Sequence, residues 1–544
     1  MIQINSVNSE VLVSWPGFIT ELALLAFAIA VHRRYFSNLS DIPGPFWASV
    51  TRLWHVWIIL EGKQNVRLKA LHRKHGQFVR IAPNEVSVCH PDGSTLLLRA
   101  NLHKGDWYSV TAVPDYRFQN PMSTTNPKMK KALSKHFTAG YALSQVLKRE
   151  PDVDENIEHL LRWVEKYAED RMPMDLDRFI TYTTFDNIGS ALFSEPIGFI
   201  RAGRDIDGTL RNNVALSRFA AVAGFFIGPL RILINPLNSW LLLLPMGRLY
   251  KTTSVAIKKR LHNHEAHNDM VAHWLGAQQK SGELSLRKIE AQANVNVGAG
   301  AEPVSHVVYS PLRQNSLGFS PLPILLNPSQ TSRQYKSSFC IILIQHPRRL
   351  ALGFVTRIHR RESLKARAMV ASVSFHDADN LTYLRACIKE ALRVFSPTTM
   401  GLPRVVAKGG INIAGRHFQQ GTILSVSSHA VHSSKDIWGD DADQWNPERW
   451  LSGDTKKLDR NWIVFSAGYM TCPGRHFAWM QICKMAATLL RNYNIRQVNP
   501  KNQWRYQANF TALTHSWPVW VEKREHEGNM HPDIETLPRD RDQF

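Results

Sequence analysis

Cys472 is the residue with the most chemistry available to it. It stands in Phe465-Ser-Ala-Gly-Tyr-Met-Thr-Cys472-Pro-Gly474-Arg-His-Phe-Ala478, near the C-terminus. A thiolate is a nucleophile and a soft metal ligand, and it needs positive potential to exist in apolar surroundings. Pro473 suits the first position of a helix, where its missing N–H is no loss. A helix from Gly474 to Leu490 then aims its positive end at the sulfur and lowers the thiol pKa. Gly468 and Gly474 allow close backbone approach, and Phe465 can shield the sulfur. The plain alternative is a buried cysteine in a turn. A zinc site using Cys472 and His476 lacks a second ligand pair, and structural zinc takes four ligands.

Two further constellations accompany it. Glu390 and Arg393, in YLRACIKEALRVF, lie three residues apart on one helix face. That helix is apolar around the pair, so the ion pair reads as buried and needs further hydrogen bonds to offset desolvation. Arg449 of Pro447-Glu448-Arg449-Trp450 can supply them. Gly298-Ala299-Gly300-Ala301-Glu302-Pro303-Val304-Ser305 joins small residues to an acid, which suits a helix passing close to a bulky group. Its Pro and Gly also permit a loop.

The elements that must position these residues are legible from pattern. Gln77 to Val88 reads as two short strands around a turn at Pro83-Asn84. Helical spacing begins near Asp152, with Ile157, Leu160, Leu161 and Val164 on one face. Thr382 to Phe395 is a helix, and Gly401 to Ser427 alternates like paired strands. Phe219 to Pro245 is apolar but broken by prolines, and fits either a core helix pair or a membrane-dipping entry segment. Residues 309–338 carry Pro311, Pro321, Pro323 and Pro328 and fit neither helix nor strand. So long a loop inside a compact domain needs its own explanation.

The 544 residues allow a large core, and 44% hydrophobic with 20% charged residues is ordinary for a globular chain. The five cysteines show no paired spacing, which argues against a disulfide framework. The formal charge of +21 favours acidic partners or anionic membrane surfaces. No zinc-finger or basic-aromatic recognition pattern points to nucleic acid. Val11 to Val31 is an apolar run with His32-Arg33-Arg34 directly after it. At about 1.5 Å per residue it can span a bilayer, despite Glu21 and Pro16. Basic residues after the run fit a signal anchor better than a cleaved signal peptide, and place the downstream domain in the cytosol. Asp41-Ile-Pro43-Gly44-Pro45 is a stiff hinge. The expected organisation is an anchor at 1–31, a basic stop and hinge at 32–50, a catalytic domain at 51–522 and a polar tail at 523–544.

Taken in order, the small-residue acid segment, Glu-x-x-Arg, Pro-Glu-Arg and the Phe-x-x-Gly…Cys-x-Gly loop closely resemble the cytochrome P-450 family of haem-thiolate monooxygenases, in its membrane-anchored fungal form. The anchor, the proline hinge and His75-Gly-Gln-Phe-Val-Arg-Ile-Ala-Pro83 match as well, so the resemblance covers roughly residues 40 to 525. It implies a mainly α fold with a small β region, a helical prism enclosing haem b, plus the N-terminal transmembrane helix. Cys472 would be the axial ligand to the iron, and its thiolate would favour O–O cleavage. Phe465, Gly468 and Gly474 would shape the loop around it. Glu390, Arg393 and Arg449 would form a supporting network. Glu302 would relay protons to the dioxygen site, and Arg404 would pair with a haem propionate.

Three departures from the family pattern stand out. Met470 replaces the Arg usual two residues before the Cys, which weakens haem retention; Lys130 and Lys131 are candidates to compensate. Pro303 replaces the usual Thr after the acid. Ser305 is the nearest hydroxyl, though two residues on it should point elsewhere, and slow or uncoupled turnover is expected. Glu302 and Glu390 are 88 residues apart, longer than the family pattern. Residues 309–338, with the basic run Arg348 to Arg367, read as a retained intron or local frame error, since the long oxygen-side helix should continue through 309.

The resemblance implies a monooxygenase of the endoplasmic reticulum membrane, single-pass, with its catalytic domain cytosolic. It would oxidise an apolar small molecule, in secondary-metabolite biosynthesis. NADPH and flavins would act only through an NADPH-cytochrome reductase, with cytochrome b5 as a second donor, and the basic surface suits such acidic donors. Pro303 leaves open a haem-thiolate isomerase, dehydratase or peroxide-using enzyme. Met470 and residues 309–338 leave open an inactive haem-binding product. Candidate pocket segments are Asp106–Pro121, Leu210–Phe226, Val297–Ser305, Thr398–Leu402 and Phe510–Leu513.

Overall fold

The chain is described by a computed structural model covering residues 15–524, apart from 101, 113–114, 234–246, 263–268, 317–370, 452, 454, 500, 502–505 and 515. Helices dominate it. Those that bear on the site are α1 (Trp15–Val31), α2 (Pro91–Arg99), α3 (Pro127–Phe137), α4 (Glu150–Glu169), α5 (Leu176–Phe193), α6 (Thr209–Ala223), α7 (Leu286–Ser316), α8 (Thr382–Val394) and α9 (Arg475–Asn492).

Local chemistry starts several of these helices. Asn126 caps α3 by accepting from the backbone N–H groups of Lys128 and Met129, with Pro127 in the first turn. His90 does the same for α2 through Nδ1. Helix α4 is amphipathic, and Ile157, Leu160, Leu161 and Val164 all lie in the core. Helix α5 is buried almost all round, so its polar side chains must be satisfied internally. The hydroxyls of Thr183 and Thr184 donate to the carbonyls of Phe179 and Thr181 at 2.9 Å. Asn187 accepts from Asn156 and donates to Gln481, both at 3.0 Å, which ties α4, α5 and α9 together.

The small β region is led by a five-stranded sheet. Its strands are β1 (Phe78–Ala82), β2 (Glu85–Val88), β3 (His103–Lys104), β4 (Leu402–Val405) and β5 (Ile423–Val426). Their order across the sheet is β1-β2-β5-β4-β3, antiparallel except for β2 with β5. A smaller sheet joins Met174–Asp175, Pro518–Lys523 and Tyr493–Gln497. The hairpin Tyr506–Ala508 with Ala512–Thr514 carries a turn at 509–511 that reaches the site. The strand pair expected around Pro83-Asn84 and the paired strands within 401–427 are both present.

Two expectations need correction, and one alternative is decided. Residues 298–305 take the helical alternative, inside the 31-residue α7, because tertiary packing on α5 and α9 outweighs the low helix propensity of Gly and Pro. A Cβ on Gly300 would come within 2.9 Å of Ile188 Cδ1, so this glycine serves the close approach of α7 to α5. Helix α7 also continues to Ser316, so residues 309–316 do not belong to an irregular segment. Residues 317–338 and the basic run 348–367 lie outside the described residues, as do Val11–Ser14 of the apolar run and 525–544 of the tail.

The N-terminal helix is the second correction. Among the described residues, no helix is long and apolar enough to cross a membrane. Helix α1 has 17 residues, which rise about 25 Å against a hydrocarbon core of about 30 Å. Its apolar side chains, including Leu22, Leu24, Leu25 and Phe27, are nonetheless exposed. The hinge behind it is clamped to the sheet. Buried Arg80 of β1 donates to the carbonyls of Arg33, Leu39 and Pro83 and to the Ser37 hydroxyl, at 2.7 to 3.2 Å. Gly44 is needed there, since a Cβ would sit 2.4 Å from the Arg80 carbonyl oxygen.

Candidate active site

The Cys loop connects the single helical turn Gly468–Met470 to α9. Its shape is set by backbone. The Cys472 N–H donates to the Phe465 carbonyl at 2.9 Å, with Ser466 at φ 57° and Gly468 at φ 63° between them. A side chain at Gly468 would meet the Leu98 carbonyl oxygen at 2.6 Å, so the loop can lie against the end of α2 only as glycine. Gly474 is the N-cap of α9, and helix residues begin at Arg475. Pro473 therefore precedes the cap and does not occupy the first helical position. Cys472 is half-buried. Burial pushes its thiol pKa up, against the expected lowering, while the Gly474 N–H and the Arg475 charge pull it down. Only a bound cation would settle the sulfur as thiolate, because a coordinating thiol is deprotonated outright.

Helix α7 lies across from this loop. Ala299 is exposed in the middle of an otherwise packed helix, and Glu302, one turn on, is half-buried on the same face. Both therefore border interior space. Tyr141 is bound to this helix: its hydroxyl donates to Asn296 of α7 at 2.8 Å. Gln292 donates to the same hydroxyl at 2.9 Å.

A third wall is cationic. Arg404 on β4 and Lys104 on β3 are register partners, and both side chains are buried. Arg404 Nη1 donates to the Tyr108 hydroxyl at 3.4 Å, while its Nε and Nη2 have no hydrogen-bond partner. Lys104 Nζ donates to the carbonyls of Pro121 and Met122 and sits 4.7 Å from the Tyr108 ring centre. Lys130 on α3 donates to the carbonyl of Tyr469, inside the Cys loop. Burial, then the charges of Lys130 and Arg404, depress the Lys104 pKa to about 6. Burial and Arg404 depress that of Lys130 to about 8. Among the described residues, no carboxylate pairs with any of the three. Lys131 is exposed and does not join them. Lys104 escaped sequence reasoning: a lone lysine before Gly105-Asp106 reads as surface until strand pairing buries it.

The network behind the loop is dense. Arg393 donates from Nε and Nη2 to the two oxygens of Glu390 at 2.9 and 2.8 Å. Glu390 also accepts from the Asn446 N–H at 2.9 Å, Arg449 Nε at 3.2 Å and Trp450 Nε1 at 3.0 Å. Arg393 spends its other donors on the carbonyls of His432, Ala442 and Gln444. Aromatic contacts continue from Trp450 through Trp462 to Phe465, with ring centres 6.2 and 5.8 Å apart. The three charged residues thus reach the Cys loop through edge-on ring packing.

Of the oxygen-side candidates, Glu302 is engaged by the side chains of Asn213 and Thr511. Burial raises its pKa to about 7, against those two hydrogen bonds. The Ser305 hydroxyl folds back onto the Glu302 carbonyl at 2.9 Å, so it is not presented to the interior space. Members of four expected pocket segments form one apolar cluster, including Trp107, Phe219, Met400 and Phe510. Met470 packs against it, an apolar contact in place of a cation. A cleft of about 1230 Å³ lined by Glu195, Arg211, Lys251 and Lys259 contains none of these residues.

These residues fit haem. A soft sulfur donor, buried Arg404 and Lys104 with half-buried Lys130, two Arg404 nitrogens without a partner, and a helix face offering only Ala299 beside the acid suit an iron macrocycle with two propionates. They do not suit zinc: no group of three or more His, Cys, Asp and Glu side chains could share a metal among the described residues.

Comparison with known proteins agrees with this reading. The sequence profile described as Cytochrome P450 matches residues 44–312 and 355–517. The stretch 313–354 between the two matches overlaps the anomalous segment. The chain is 29% identical over 515 residues to "Cytochrome P450 monooxygenase mpaDE'" of Penicillium brevicompactum, covering 92% of this chain and 57% of that one. It is 27% identical over 545 residues to "Cytochrome P450 monooxygenase hepC" of Aspergillus oryzae, covering 95% and 98%. It is 25% identical over 529 residues to "Pisatin demethylase" of Fusarium vanettenii, covering 94% and 92%. The chain thus spans little more than half of the first of these relatives and nearly all of the others. With haem b as the group its residues suit, the chain belongs to the cytochrome P450 family of haem-dependent monooxygenases.

Proposed function

We propose that this protein inserts one oxygen atom of O₂ into an apolar small molecule in secondary-metabolite biosynthesis, using electrons delivered by an NADPH-cytochrome reductase. One observation supports it: the Cys472 loop and the partly open Ala299–Glu302 face of α7 accompany buried Arg404 and Lys104 and half-buried Lys130, none of which pairs with a carboxylate among the described residues. Haem, when bound, supplies dioxygen binding and activation. Cys472 holds its iron, and Phe465 and Gly468 shape the loop around the sulfur. Arg404, Lys130 and Lys104 hold its propionates. Glu390, Arg393 and Arg449 keep the loop rigid. Glu302, whose pKa burial raises to about 7, is the proton donor nearest the oxygen side.

The test is a carbon monoxide difference spectrum of the reduced protein, then turnover under labelled O₂. The thiolate-type band should appear in the wild type and vanish in Cys472→Ser. No band in the wild type overturns the proposal and favours an inactive product. A band with oxygen-independent turnover favours an isomerase or dehydratase, the reading that Pro303 supports by removing a hydroxyl from the oxygen side.

We further propose a single-pass anchor in the endoplasmic reticulum membrane, formed by α1 with the apolar residues before it, and a cytosolic catalytic domain. The exposed apolar face of α1 and Arg33-Arg34 after it support this. Cytochrome b5 is a second candidate donor for the basic surface. For residues 317–338, a retained intron or frame error is supported by the break in the family match at 313–354. Transcript sequencing tests it; a message encoding the whole segment defeats it.

A further inference from the structure

We infer that the cleft beside the C-terminal end of α5 is a second binding site, separate from the candidate active site, and takes a small amphipathic organic anion, one carboxylate or sulfonate group on an apolar body. Its volume of about 1230 Å³ leaves room for such a molecule, since ligand pockets run from about 300 to about 1,000 Å³. None of its lining residues belongs to the Cys loop or to the apolar cluster around Trp107. Its walls are fixed by chain conformation. A Cβ on Gly189 of α5 would meet Ile197 Cγ1 at 3.0 Å and the Glu195 carbonyl oxygen at 3.1 Å, so the segment 195–197 is pressed against that helix. Ser194, which ends α5 at φ 59°, donates its hydroxyl to buried Asp269 at 2.9 Å. A second wall begins at the turn Ile206–Gly208, where Asp207 and Gly208 stand at φ 53° and 66°. The Asp205 carboxylate accepts from the N–H groups of Leu210 and Arg211 at 3.0 and 3.2 Å, which fixes the start of α6 and the position of Arg211. The third wall is the helix Gly247–His262, which brings Lys251, Val255 and Lys259 to the cleft at intervals of four residues.

The lining divides into an apolar body and a cationic surplus. Phe193, Ile197, Ile206, Val255 and Ala256 supply the first, and Val255 is 57% exposed, so this face stays open to a ligand. Four cations line the cleft, Arg211, Lys251, Lys259 and Arg260, against two acids, Glu195 and Asp207. Lys259 Nζ donates to both oxygens of Glu195 at 2.7 Å, and Arg260 Nε donates to Asp269 at 3.0 Å. Among the described residues, Arg211 and Lys251 make no ion pair, so they carry the surplus. Cations on a flat surface are merely solvated, whereas these two lie at a concavity whose low-dielectric walls focus their field. Arg211 can hold a planar anionic group through two parallel N–H bonds, and Lys251 adds a point charge. A neutral apolar ligand would leave both cations unanswered, and an inorganic anion would leave the apolar residues bare. An amphipathic anion satisfies both.

The test uses the haem-loaded, full-length protein, with 4-phenylimidazole keeping the probes from the haem side. The probes are 1-anilinonaphthalene-8-sulfonate and N-phenyl-1-naphthylamine, which share one apolar body and differ in the sulfonate. Fluorescence and calorimetry give both affinities. The sulfonate should bind about tenfold more tightly, the value of two partly exposed charge-assisted bonds. In the Arg211→Gln, Lys251→Gln double variant that preference should fall below about twofold, with the affinity for the uncharged probe unchanged. Val255→Asp should weaken both probes. Lys280→Gln removes an exposed lysine that does not line the cleft, and should change neither. The four positions are exposed, and melting temperatures confirm that each variant folds. Equal affinities in the wild type, no binding of either probe, or an unchanged preference in the double variant overturns the inference. So does wild-type binding by Val255→Asp, or an equal loss in Lys280→Gln, which would reduce the effect to net charge.

Discussion

Lys104 stands directly opposite Arg404 in the antiparallel pairing of β3 with β4, and both side chains are buried. Like charges facing each other across strands are destabilising, and burial adds to the penalty. A fold that keeps them there holds a place for an anion. Where the family usually has an arginine two residues before the cysteine, this chain has Met470, packed on an apolar cluster. On the proposed reading, Lys104 and Lys130 take over that charge from elements far away in sequence.

Lys104→Met should therefore act in opposite directions in two states. The haem-free protein should melt at a higher temperature, since an amine whose burial depresses its pKa to about 6 is removed. The haem-loaded protein should release haem about tenfold to a hundredfold faster, the equivalent of one charge-assisted bond. Haem transfer to excess apomyoglobin and thermal melts of both forms check this. A slower or unchanged release would sink the role.

The Glu390 network predicts graded losses. Trp450→Phe removes one donor and should destabilise by about 1–1.5 kcal/mol. Glu390→Gln leaves Arg393 and Arg449 buried with one carboxylate fewer, which should cost about 3–5 kcal/mol and most of the folded yield. Thermal melts and the fraction of soluble haem protein measure both.

Glu302 gives stability a definite pH dependence. Its folded pKa of about 7 lies above the ordinary 4.5, so the folded state holds the proton more tightly. The contribution is present below pH 4.5 and is lost as pH rises through about 7. Burial depresses His55 and His429 to about 4, which works in the opposite direction as pH falls below 6.5. Comparing Glu302→Gln with wild type isolates the acid: the variant should gain relative stability between pH 5 and pH 8, by up to about 3 kcal/mol. A difference independent of pH would remove the buried acid from the account.

Pro303 interrupts the oxygen side of α7 without breaking the helix. Pro303→Thr returns an N–H and a hydroxyl to that turn. Peroxide released per NADPH consumed should fall severalfold relative to wild type. Equal leakage in both proteins would mean that proton delivery does not pass through this position.

The exposed face of α1 predicts membrane retention after carbonate washing. Replacing Leu24 and Phe27 with Asp adds about 5–7 kcal/mol to insertion, and should release the protein to the supernatant. Retention of the double variant would remove α1 from the anchor.

The sequence by itself determined the Cys472 loop and the ion-pair network behind it. Cys472, Gly468, Glu390, Arg393 and Arg449 are legible because their functions depend on short spacings: a turn that only glycine can make, two charges three residues apart on one helix face. The paired strands and the amphipathic α4 were legible for the same reason, since periods of two and 3.6 residues are local. What tertiary structure alone decided is every relation between distant segments. Strand pairing, not local pattern, buries Lys104 against Arg404 and leaves Lys131 in solvent. Packing on α5 holds residues 298–305 helical despite Gly300 and Pro303, and desolvation reverses the expected direction of the Cys472 thiol pKa. Glu302 and the two side chains that engage it, Asn213 and Thr511, are separated by 89 and 209 residues in the chain, so their engagement belongs to the fold alone.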